Sequence, residues 1–115
     1  MQAQVKNPDA RDLILPDGHP RVAFRGVYEK VPNKMVNGKP CMKQTDGARY
    51  LYYGDSHFWL FTASDSAPKD GESAGFLHTV ERNLASPVAA ESWKVSQGNN
   101  IWIVDKAVQV TEHVR

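Results

Sequence analysis

The chain has 115 residues, a hydrophobic share of 41% and a formal net charge of +1, enough for one domain with a real core and too balanced to point to a polyanionic partner. Its single cysteine, Cys41, excludes an intramolecular disulfide framework and suits a reducing compartment. No run approaches the roughly 20 apolar residues of a membrane span, and the N-terminus lacks the apolar stretch of a secretory signal, so the expectation is an intracellular, cytoplasmic chain that is not membrane-spanning.

Residues 1–20 mix polar residues with Pro8, Pro16, Gly18 and Pro20 and offer only Leu13, Ile14 and Leu15 for burial. They read as an irregular N-terminal arm, ahead of a single β domain over residues 21–115. Val22 to Glu29, rich in β-branched and aromatic residues, reads as a first strand. Asn37-Gly38 then separates Met35-Val36 from Lys39 to Met42, and Asp46-Gly47 separates Met42 to Gln44 from Arg49 to Tyr53. Such dipeptides accept the positive φ values of tight hairpin turns. A third turn at Gly54-Asp55-Ser56 leads into His57 to Phe61, and short turns between successive strands imply an antiparallel meander.

Ala63 to Gly75 is small, polar and turn-rich and reads as an exposed loop; Gly75 to Val80 reads as a short strand. Ser86-Pro87 before Val88 to Glu91 has the N-cap and first-turn proline of a short helix. Ser92 to Ser96, a turn at Gln97 to Asn100, Ile101 to Val104 and Ala107 to Thr111 close the pattern. About seven or eight short strands with at most one short helix predict an all-β antiparallel barrel or sandwich. The hairpins YLYYGDSHFWLF and WKVSQGNNIWIV look alike, which reads either as an internal duplication or, the preferred reading, as a likeness that any two Trp-bearing hairpins would share.

Alternation along Arg49 to Tyr53 sets Tyr50 and Tyr52 on one face and Leu51 and Tyr53 on the other; next, Phe58 and Leu60 oppose His57, Trp59 and Phe61. Large apolar side chains on both faces mark a central strand, covered by a second layer or a loop. Most of these rings are therefore expected in the core. The face of Tyr50 and Tyr52 is the one a partly exposed aromatic platform would use, because a tyrosine hydroxyl tolerates water.

Catalytic and metal signals are thin. Cys41 and the histidines His19, His57, His78 and His113 show no spacing that suggests a nucleophile and its base. Single Cys and His residues do not make a zinc pattern, and Asp65, Asp70 and Glu72 miss the spacing of an EF-hand loop. The glycines scatter over turns instead of forming a phosphate loop. The expectation is no enzyme, no cofactor and no metal.

Charge is unevenly spread. Residues 21–49 carry Arg21, Arg25, Lys30, Lys34, Lys39, Lys43 and Arg49 against Glu29 and Asp46, whereas residues 50–91 are acidic. A basic edge of this kind would meet an acidic protein, a lipid head group or a nucleic-acid backbone; edge-protecting lysines account for the same residues without a partner.

The string GVYEKVPNKMVNGKPCMKQTDGARYLYYGDSHFWLF, with the later SP and ESWKVSQGNNIWIV, resembles a small Trp/Tyr-rich β module of protist and algal proteins. The likeness covers about residues 24–110 and rests on Gly26, Tyr28, Asn37, Gly38, Lys39, Pro40, Tyr50 to Tyr53, Trp59, Ser86, Pro87, Trp93 and Trp102. Cys41-Met42 departs from the aliphatic–aromatic pair more usual there. What the resemblance implies is a non-catalytic interaction domain, by analogy of architecture. The combined expectation is a binding or scaffold module for another protein, using Tyr50, Tyr52, Lys39, Lys43 and Arg49. The alternative is a lipid head group or single-stranded nucleic acid on the basic residues. Oligomeric state is left open.

Overall fold

A computed structural model describes residues 6–64 and 67–114, with side chains described for 10–64 and 67–112. The chain is all-β. Its strands are β1 (Lys6–Ile14), β2 (Gly26–Val36), β3 (Lys39–Gln44), β4 (Arg49–Tyr53), β5 (Trp59–Ala63), β6 (Leu77–Thr79), β7 (Trp93–Ser96), β8 (Trp102–Asp105) and β9 (Gln109–Val114). They form one antiparallel sheet in the order β8-β7-β6-β5-β4-β3-β2-β1-β9, curled into a half-barrel. From β2 to β8 this is the expected meander, with nine strands in place of seven or eight.

The turns follow their chemistry. Val36 pairs with Lys39 across Asn37-Gly38, whose φ values of 51° and 85° are those of a two-residue type I′ turn. At Pro87–Ala89 a 3₁₀ turn replaces the expected helix, and Ser86 caps it by accepting from Val88 N. Two expectations change. The N-terminal residues are not an irregular arm throughout: β1 pairs with both β2 and β9. Its sequence hides this, because Pro8 lacks a donor and lies where the β1–β9 register shifts, between Asn7 and Arg11. The strand expected from Val22 starts at Gly26, after a 3₁₀ turn at Val22–Phe24 that folds Phe24 into the core.

The inner face of the curl holds the larger core, including Tyr28, Leu51, Tyr53, Trp59, Phe61, Leu77, Trp93 and Val95. Its rings meet edge-on or tilted: Tyr28 and Phe61 centroids lie 5.0 Å apart, Phe61 and Trp93 5.3 Å, separations favourable to aromatic pairs. Polar tips are satisfied in place, Tyr28 OH donating to Phe24 O at 2.6 Å and Trp59 Nε1 to Leu84 O at 2.9 Å. The outer face carries a second cluster of Val36, Cys41, Tyr50, Tyr52 and Leu60. Both halves of the alternation inferred for β4 and β5 thus hold.

The segment expected as an exposed loop is exposed at most of its described positions, and its underside also covers the outer cluster. Pro68 is buried and Ala67 packs on the cluster. Ala74 holds the Tyr52 hydroxyl from both sides, its O accepting and its N donating, each at 2.6 Å. Asn37 adds a clasp: its N donates to Asp70 Oδ1 at 2.7 Å, its Nδ2 to Tyr53 O at 2.8 Å, and its Oδ1 accepts from Gly71 N at 2.9 Å. At Gly75 an added Cβ would lie 2.5 Å from Phe61 O, so only glycine lets the returning chain close on β5. Tyr52→Phe deletes both hydroxyl bonds and is expected to cost about 1–2 kcal/mol in urea unfolding, with faster proteolysis within residues 64–75 than in wild type. Wild-type stability and cleavage rate would contradict the covering role of this loop.

Candidate functional site

The five residues expected to form a binding surface do not share one. Tyr52 is fully buried and Tyr50 is 8% exposed, which corrects the idea of an aromatic platform there: the two-faced pattern put them in a second core. Lys43 is exposed and pairs across the ladder with Tyr50. Arg49 points to the other face, its guanidinium 5.2 Å from the Phe24 ring and NH1 3.2 Å from Gln44 Oε1. Lys39 sits with Nζ 5.1 Å over the Tyr53 ring. Other basic residues have partners within the chain: Arg21 donates to Ser96 O at 3.0 Å and lies over Phe76, and Arg25 forms an exposed pair with Asp17 at 2.6 Å.

The residues with nucleophile or base chemistry are likewise built into the structure. Cys41 is fully buried in the outer cluster, and desolvation pushes its thiol up to about 11, so little thiolate forms at neutral pH. His19, 8% exposed, lies 2.7 Å from Asp105 through Nε2 and accepts from Arg21 N through Nδ1 at 3.0 Å. Both ring nitrogens are thereby occupied, and Nδ1 has no lone pair left for a substrate proton. Asp105 is held below the usual carboxylate range, first by the Ala107 N–H and then by His19. Among the described residues no group of three His, Cys, Asp or Glu side chains could share a metal ion, and no helix is long and apolar enough to cross a membrane. Asp65 and the His113 side chain lie outside the described residues.

What the structure does expose is β8. Ile101, Trp102, Ile103 and Val104 are 55%, 36%, 48% and 49% exposed, four apolar residues in succession at an open edge of the sheet. β7, one strand inward, alternates in the usual way, with Trp93 and Val95 buried. The similarity between the two Trp hairpins ends here: Trp59, at the start of β5, faces the inner core and is 2% exposed, whereas Trp102, at the start of β8, faces outward.

Trp102 ends a row of rings across the outer face. Arg82 lies 4.8 Å over Phe58, Phe58 lies 4.6 Å from His78, and His78 lies 4.7 Å from Trp102. Beside the row runs a groove of about 350 Å³, floored by Leu60 and Gly75 and walled by Ser56, Ser73 and Ala74. His78 Nδ1 lies 2.7 Å from Thr79 O; a carbonyl only accepts, so the proton sits on Nδ1 and Nε2 is left as an acceptor. Burial holds the His78 pKa below its ordinary value, and the Lys94 charge adds to the effect. Sequence reasoning missed this row because its members come from separate segments and no short motif links them. The one local signal was the unbroken run Ile101 to Val104.

No family model, curated protein or solved structure matches this chain.

Two measurements check the site chemistry. Cys41 is expected to resist a thiol reagent at pH 8 in the native protein and to react on unfolding; rapid native labelling would contradict its burial. With its folded-state pKa lowered, His78 takes up a proton more readily in the unfolded chain. Its contribution to stability is therefore whole above pH about 6.5 and declines as pH falls below it. His78→Phe is expected to flatten that part of the pH–stability curve, and an unchanged slope would assign it to another group.

Proposed function

We propose that this chain is a non-catalytic interaction module that docks a protein partner on the β8 edge and the ring row beside it. The observation that carries the reading is the run of four exposed apolar residues, Ile101 and three successive residues of the edge strand β8. An edge strand presents unpaired backbone donors and acceptors, and soluble domains ordinarily blunt such edges with charge, proline or a covering segment. On β8 the residues Trp102, Ile103 and Val104, with Ile101 just ahead of them, include none of these, and the one charge, Asp105, stands at the strand's end. A partner strand added there gains main-chain hydrogen bonds, while pockets for alternate side chains supply specificity. Trp102 and the groove along Phe58 and His78 are such a pocket. The interaction role expected from the sequence is kept, and its surface moves from Tyr50 and Tyr52 to β8. The polyanion alternative loses support where Arg21, Arg25, Lys39 and Arg49 contact other parts of the chain.

The reading is tested by selecting extended peptides from a displayed library against the domain. Binders weakened about ten-fold or more by Val104→Lys, roughly 1.4 kcal/mol, and unaffected by Lys43→Glu, are the expected result. Binders indifferent to Val104→Lys would place the contact on another face and reject the β8 edge.

A further inference from the structure

We propose that the occupant of the β8 edge is β8 of a second copy of this chain, paired antiparallel about a two-fold axis through Ile103. This rests on the reading of β8 as the docking edge and names what docks.

The hydrogen-bonding parity of the strand sets the terms. Gln97 N donates to Ile101 O at 2.8 Å, and the ladder continues Ser96↔Trp102, Val95↔Ile103, Lys94↔Val104. Bonded and non-bonded pairs alternate along an antiparallel ladder. Ile103 and the Ile101 carbonyl are therefore turned to β7, Ile101 N donates to Gly98 O in the turn at 3.0 Å, and the backbone groups of Trp102 and Val104 point to the open edge. A partner strand must bond to these two residues.

Three two-fold registers of β8 on itself satisfy that rule. Trp102 opposite its counterpart sets Val104 against Asn100. Val104 opposite its counterpart sets Ile103 against Asp105 and Trp102 against Lys106. Only Trp102 opposite Val104 pairs the strand residues Trp102, Ile103 and Val104 wholly with one another; Trp102 opposite itself relies on Ile101, which precedes β8, and runs Val104 onto Asn100, a turn residue with φ 60°. Ile103 then faces its own counterpart, and Trp102 and Val104 of both copies form one outer apolar patch continuous with His78 and Phe58. Asp105 falls opposite Ile101 and Lys106 opposite Asn100, so no like charges meet across the pair.

Two further observations favour a second copy over a foreign strand. The partner must be apolar on both faces over three successive residues, and Trp102, Ile103 and Val104 of β8 themselves have that pattern. The opposite edge of the sheet is dressed differently: β9 begins with the exposed polar Gln109, and the Pro87–Ala89 turn lies against it. A contact confined to two four-residue strands falls short of the roughly 1,200–2,000 Å² of a stable complex, so the pair is a weak, concentration-dependent one.

The register predicts a cross-link. Residues opposite each other in a non-bonded antiparallel pair have Cα atoms about 4.5 Å apart, within disulfide range. Ile103→Cys is expected to form a covalent dimer on mild oxidation of the folded protein, whereas Ile101→Cys forms much less; the native Cys41 is buried and silent. Sedimentation of the wild type should show a monomer–dimer equilibrium. Val104→Lys should weaken it ten-fold or more, as should Val104→Pro, which removes an edge-facing N–H without touching the β7 ladder. Met35→Lys, at an exposed apolar residue on the β2–β3 hairpin, should leave it unchanged. A wild type that stays monomeric at high micromolar concentration, or a dimer indifferent to both Val104 variants, overturns self-pairing. If that monomer still binds selected peptides in a Val104-dependent way, only the identity of the occupant has failed; if Val104 matters to neither, the docking edge fails with it.

Discussion

Rings on both faces of the same two strands are the constraint around which this fold is arranged. Period two sends Leu51, Tyr53, Trp59 and Phe61 inward, and Tyr50, Tyr52, Phe58 and Leu60 outward. A single sheet can shelter only one face by curling. Exposing the other would leave several large side chains in water, each worth about 1.5–3 kcal/mol when buried. The chain answers by returning over the outer face between β5 and β6. Asn37 serves both layers, since the residue that makes the β2–β3 turn also binds the returning segment.

That cover reaches as far as β5 and β6 and stops. Leu60 lies beneath it, Phe58 and His78 lie at its margin, and Trp102 stands beyond. The groove is thus the boundary between a finished part of the outer face and an unfinished one. On the inner side Ile103 pairs with Val95 yet remains 48% exposed, because β8 and β9 are the two unjoined edges of the sheet. The connection from β1 to β2 crosses to this end and is pinned there by His19 to Asp105 and Arg21 to Ser96. These bonds fix β8 in place without covering its apolar side chains, so the edge is ordered and open at once.

Local chemistry was legible in the sequence wherever a few adjacent residues decide the outcome. The Asn37-Gly38 turn, the Ser86 cap and the two-faced alternation of β4 and β5 are of this kind. Features decided by distant partners were not. β1 has no clean alternation and only one β-branched residue, Ile14, and it is a strand because β2 and β9 offer it two sets of backbone partners. The 63–75 segment looks like a solvent loop because its cover is made largely by backbone groups and one proline. The same limit applies to Tyr52 and Trp102: composition marks both as aromatic, and only tertiary neighbours decide which is sealed and which is open.

The position of β1 has a consequence for how the chain acquires its shape. Asp12 pairs with Thr111 and Leu13 with Val110, so the first strand is completed by the last. During synthesis β2 to β8 can assemble as successive antiparallel pairs between neighbours in the chain, while β1 waits with one edge unpaired until β9 emerges. Long-range closure of this sort is the slow part of folding, and an incomplete sheet with a free edge is open to wrong pairing. The β1–β9 zipper therefore makes this a fold whose order of assembly runs from the middle outward, with β1, made before all the strands it joins, among the last to settle.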